Sequence, residues 1–100
     1  MTIKHDEIYT FKLITGEEIV ARVLSGNTET GFDIEHPILC MLSPQGLQMM
    51  PYMFSSKQGG TLELNTSSWV MFAETRDDVR NSWIQATTGI APVSKQIITG

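Results

Sequence analysis

Residues 8–24 read Ile8-Tyr9-Thr10-Phe11-Lys12-Leu13-Ile14-Thr15-Gly16-Glu17-Glu18-Ile19-Val20-Ala21-Arg22-Val23-Leu24. The first seven are rich in β-branched and aromatic side chains, which suit a pleated, half-buried surface. At a period of two, Ile8, Thr10, Lys12 and Ile14 share one face of a strand, and Tyr9, Phe11 and Leu13 share the other. Thr15-Gly16-Glu17-Glu18 supplies a turn, and Ile19 to Leu24 reads as the return strand.

The same reading extends outward. Ser25-Gly26-Asn27-Thr28-Glu29-Thr30-Gly31 is a polar loop with two glycines. Phe32 to Leu42 is a long third strand, in which Pro37 predicts an edge, a bulge or a sharp bend. Ser43-Pro44-Gln45-Gly46 has tight-turn chemistry. Leu47 to Phe54 is a fourth strand, Ser55 to Gly60 a polar loop, and Thr61 to Leu64 alternates again. Asn65-Thr66-Ser67-Ser68 is a short turn before a fifth strand, Trp69 to Ala73. Five strands, each one short turn from the last, predict a mostly β fold: an antiparallel meander that curls into a small barrel.

The period then changes. Val79, Trp83 and Ala86 recur at helical spacing and predict a C-terminal α-helix over about residues 75–88. Thr75 suits its N-cap, and Asp77 and Asp78 complement the positive end of its dipole. Gly89 suits the far end and Pro92 prevents a restart. The apolar stripe is narrow, so the helix lies on a surface. The tail, 89–100, offers Gln96-Ile97-Ile98 as a short added strand or else stays loose.

One hundred residues make one domain, 1–100, with a modest core. At 41% hydrophobic and 18% charged residues the chain is globular, too apolar for disorder. Seven Lys+Arg against eleven Asp+Glu give −4, which argues against a broad basic nucleic-acid surface. Residues 1–37 hold three basic and seven acidic side chains and so carry all of that charge. Ile38 to Ser56 carries none. That run approaches the about 20 residues of a membrane span, but Pro44, Gln45, Gly46, Gln48 and Pro51 break it, so no membrane is expected. With one cysteine and no apolar leader, a cytoplasmic location is expected.

Several residue groups invite a chemical reading. His5-Asp6-Glu7 has metal-ligand types, yet neighbours at a chain end are normally solvated. His36 and Cys40 stand an even number apart on a strand, as a Cys–His dyad would. No third orienting group accompanies them, and a small buried thiol is the common state. Glu17 and Glu18 point to opposite faces and cannot share a proton. Gly59-Gly60 has no helix after it to hold a phosphate. Arg76 and Arg80 share a helix face, but Asp77 and Asp78 make it a mixed one. Met41, Met49, Met50, Met53 and Met71 read as core and interface. No catalytic residue, metal or cofactor is expected.

The apolar pattern calls for a partner. Leu47, Met49 and Met53 fall on one face of the fourth strand, and Met50, Tyr52 and Phe54 on the other. Trp69-Val70-Met71-Phe72 is likewise apolar on both faces. A half-buried sheet alternates instead, and exposed apolar edges invite pairing with another chain. This predicts a homo-oligomeric ring, with Met50, Tyr52, Phe54, Trp69 and Met71 at the interface. The alternative is that the helix covers one face and the barrel core the other.

Over roughly residues 8–73 these elements resemble an Sm-like (Lsm) domain, a strongly bent five-stranded barrel of the SH3-like class. Phe11-Lys12-Leu13-Ile14-Thr15-Gly16-Glu17-Glu18-Ile19-Val20 is similar to the start of its first motif, with Gly16 as the turn glycine. Leu64-Asn65-Thr66-Ser67-Ser68-Trp69-Val70-Met71-Phe72 has the shape of its second. With its C-terminal helix and Thr87-Thr88-Gly89-Ile90, nearly the whole chain resembles the small Sm-like proteins of marine phages (cyanophages). The resemblance implies a ring of about five to seven subunits in which the fourth strand of one pairs with the fifth of the next. It also implies single-stranded RNA in the lumen, read by Asn65, Thr66 and Ser67 together with first-motif residues. Without a gap Asn27 takes the motif's Asp place and Gly31 its Asn place; with an insertion Asp33 and Pro37 do. The second motif's Arg is Asn65 here, so the planar cation used for base stacking and phosphate contact is missing. The implied alternative is a structural or protein-interaction ring, its partners being itself and a phage or host protein, working in the cytoplasm of the infected cell.

Overall fold

The computed structural model describes residues 2–57, 59–88 and 96–98. Its strands are β1 (Glu7–Leu13), β2 (Glu18–Asn27), β3 (Gly31–Ser43), β4 (Gly46–Pro51), β5 (Leu62–Leu64), β6 (Trp69–Glu74) and β7 (Gln96–Ile98). A short 3₁₀ turn, Thr66–Ser68, precedes β6, and one helix, α1 (Asp77–Thr87), follows it. The fold is mostly β: one open antiparallel sheet in the order β6–β1–β2–β3–β4–β7, with β5 also paired to β3.

The first two strands pair as their alternation requires, with Phe11 opposite Ile19 and Tyr9 opposite Ala21. One face gathers Tyr9, Phe11, Leu13, Ile19, Ala21, Val23, Phe32 and Ile34 into a core. Within it Trp69 of β6 stacks on Phe32 of β3, ring centroids 5.4 Å apart. These strands lie three places apart in the sheet, about 14 Å if it were flat, so the sheet curls around this core. The other face carries Ile8, Val20, Ile38, Cys40 and Met49, and α1 lays Val79 and Trp83 on them.

The bend expected at Pro37 lies at His36, whose φ of 51° is in the left-handed region. It divides β3 between two partners: Phe32–Ile34 pairs with β5 and Ile38–Ser43 with β4. The fourth strand is shorter than Leu47 to Phe54. Its ladder ends at Pro51, after which the Tyr52 N–H donates to the Pro37 carbonyl (3.0 Å), and Met53 and Phe54 leave the sheet. Thr61 to Leu64 resumes the pairing as β5. Gln96-Ile97-Ile98 adds a strand on the outer edge of β4.

Thr75 does not cap the helix. Arg76 occupies the cap position without a side-chain bond, while the Thr75 hydroxyl pairs with that of Thr10 (2.9 Å). A strand-end tie to β1 has won over the cap. Asp78 does accept from the first-turn Val79 N–H (2.9 Å). Gly89 and Pro92 lie outside the described residues.

Candidate functional site

The β2–β3 loop and the turn after β5 meet at one end of the sheet. Gly26 and Gly31, both at φ +106°, flank the loop and make the approach possible. A Cβ on Gly31 would stand 2.5 Å from the Leu64 carbonyl oxygen. The Thr66 hydroxyl donates to the Thr28 carbonyl, fastening the turn to the loop. Asn27 Oδ1 accepts from the Glu29 and Thr30 N–H groups (2.9 Å each) and the Thr30 hydroxyl (3.1 Å). Its oxygen is therefore used in holding its own turn.

A cleft of about 280 Å³ opens here, between Gly31, Asp33, Glu63 and Asn65. Asp33 Oδ2 accepts from the Ser25 hydroxyl (3.0 Å). Asp33 and Glu63 are direct partners across β3 and β5, a like-charge pairing that the sheet tolerates at a cost. Among the described residues the lining includes no Lys or Arg. Among the residues named from sequence, Asn27, Asp33, Asn65 and Thr66 thus converge from separate segments, and Ser67 follows exposed in the 3₁₀ turn. Asp33, rather than Asn27, lines the cleft beside Asn65. Glu63 was not among those residues, because only the β3–β5 register sets it against Asp33. Its alternation between Leu62 and Leu64 was the available signal.

The interface residues from the sequence divide. Trp69 packs edge-on to Phe11 (5.5 Å) and Tyr52 lies against the same core, while Met50 is half-buried. Met71 is 64% and Phe54 82% exposed, and Val70 beside Met71 is 60% exposed. For β4, the helix and the curled core cover much of both faces within one chain. Exposed apolar side chains remain at Ile14, Leu42 and Phe54 and, as adjacent residues on the end strand β6, at Val70 and Met71.

The remaining groups have local partners. Lys12 pairs with Glu18 (3.9 Å), Arg80 with Glu7 (3.8 Å), and Arg76 with Asp78. The hydrogen bond from Arg76 holds the Asp78 carboxyl below its ordinary range. Burial, with the Glu18 charge adding to it, pushes the Cys40 thiol up to about 11, so it is protonated at neutral pH. The His36 ring lies against Trp83 at 6.0 Å, whose indole N–H donates to the His36 carbonyl (2.9 Å). Arg22 stacks its guanidinium over Trp83 (5.1 Å) and reaches Glu35 (3.5 Å). Among the described residues no three His, Cys, Asp or Glu side chains group as a metal site, and no helix is long and apolar enough to cross a membrane. No protein-family model, curated protein or solved structure matches the chain.

Proposed function

We propose that this chain is a non-catalytic Sm-like module that assembles with copies of itself into a ring and serves as a structural or protein-interaction scaffold. The observation that carries this is the β6 edge. It ends the sheet, it exposes Val70 and Met71, and Trp69 to Ala73 contains no charge or proline to deter another strand. The strand order, the curl of the sheet and the split fourth strand support the Sm-like reading. In that arrangement β6 of one copy would pair with β4 of the next, closing at about five to seven subunits. The phage and cytoplasmic parts of the resemblance belong to this reading. Native mass spectrometry of protein purified without nuclease tests it. A single multiple of 11.2 kDa is expected; a monomer at every concentration would remove the assembly.

The second reading, single-stranded RNA bound at the loop end, is favoured by the convergence of Asn27, Asp33, Asn65 and Thr66. Against it stand the missing arginine and the two carboxylates of the cleft, which repel phosphate. Extra mass that ribonuclease removes, and binding of oligo-uridine that weakens steeply with salt, would support RNA.

A further inference from the structure

On the assembly reading, β4 must offer an edge to a neighbour, yet that edge is already taken. One side of β4 pairs with β3, and the other pairs antiparallel with β7: Leu47 with Ile98, Gln48 with Ile97, Met49 with Gln96. We propose that β7 is a built-in competitor for assembly: it covers β4 within one chain and gives way there to β6 of a second copy. The inference rests on the assembly reading.

Three observations carry it. First, β7 is three residues long and β6 is six, so the exchange replaces a short ladder by a longer one. Second, the two strands that would meet are compatible. Gly46 to Pro51 and Trp69 to Ala73 carry no charge, so their ladder buries none. Third, β7 belongs to the chain it covers. A tethered strand acts at an effective concentration on the order of millimolar, so it wins when the protein is dilute and loses as copies accumulate. The tail thereby sets the concentration at which the protein assembles.

Two full-length variants test this by sedimentation velocity over a wide concentration range. Ile98→Pro removes an N–H on the β4 side of β7, opposite Leu47. It should lower the concentration for assembly by about tenfold or more, equivalent to roughly 1.4 kcal/mol per contact. The double variant Gln48→Cys with Ile97→Cys joins two direct partners, and Cys40 opposes Met49 at the next register position. Oxidised, it should remain a monomer; reduced, it should assemble as the native chain does. Assembly of the oxidised form at the native concentration, or an unchanged Ile98→Pro, overturns the competition while leaving the ring. Monomers throughout, Ile98→Pro included, overturn both.

Discussion

Gly31→Ala probes what holds the loop end together. Gly31 opens β3 at φ +106°, and its missing Cβ would lie 2.5 Å from the Leu64 oxygen and 3.3 Å from the Thr66 nitrogen. Alanine in that conformation costs about 1–3 kcal/mol by itself. The Leu64 carbonyl must also retreat by about 0.9 Å (3.4 less 2.5) to reach ordinary contact, an overpacking of about 1–3 kcal/mol. β5 has three residues and cannot absorb that shift without loosening its Phe32–Leu64 pair. The sum is about 4 kcal/mol. At about 4–8 °C per kcal/mol for a domain of this size, the melting temperature should fall by more than about 15 °C. Gly16→Ala is the control, since Gly16 has φ +103° and nothing within 4 Å. It pays the conformational cost alone. Both are measured by thermal circular dichroism at one protein concentration, because assembly shifts apparent stability. Equal losses for the two glycines would refute the close packing of turn on loop.

Met71→Asp should abolish assembly while leaving the monomer's melting temperature within about 1–2 °C, because Met71 is exposed in the single chain and, on the assembly proposed above, would be buried only by a partner; an unchanged sedimentation coefficient would move the interface elsewhere. Trp83→Phe should cost about 2–4 kcal/mol in urea unfolding, from the void beneath α1 and the His36 carbonyl left without its donor. The Cys40 thiol rises from 9.0 to about 11 on folding, so the native state holds its proton more tightly than the unfolded chain. That contribution is complete below pH 9 and is lost as pH climbs to about 11. Melting temperatures of the native chain should therefore fall more steeply across that window than those of Cys40→Ala, and parallel profiles would contradict the burial argument.

Alternation made β1, β2 and the start of β3 legible, because Tyr9, Phe11, Leu13, Ile19, Ala21, Val23, Phe32 and Ile34 set every second side chain into one core, and Gly16, Gly26 and Gly31 punctuate the strands. The helix was legible from Val79, Trp83 and Ala86, all of which are buried. What could not be read were choices between near-equal local options. Thr75 has the chemistry of a cap, but Thr10 lies within reach only because β6 pairs with β1. Met53 and Phe54 continue an apolar run, but the bend at His36 and Pro37 ends the ladder they would have joined. Apolarity on both faces of the fourth strand was a real signal, yet it marked a strand between a helix and a curled core as much as one facing another chain. The cleft was half-legible: its polar turns stood out in the sequence, while the opposition of Asp33 and Glu63 follows from register alone.

Charge separates the two functional readings more sharply than any single residue. Each copy carries −4, with Asp33 and Glu63 set opposite each other at the loop end, so drawing copies into a ring concentrates negative charge. Apolar strand pairing must overcome that repulsion, and salt relieves it by shortening the screening length from about 10 Å at 0.1 M to about 3 Å at 1 M. Assembly through β6 should therefore strengthen as salt rises. RNA held through its phosphates must do the reverse, because bound counterions are released on binding and salt opposes their release. A salt titration followed by both mass and oligonucleotide anisotropy reads the two signs at once. Assembly that dissolves in high salt would show that ion pairs, not the uncharged edges of β4 and β6, join the copies.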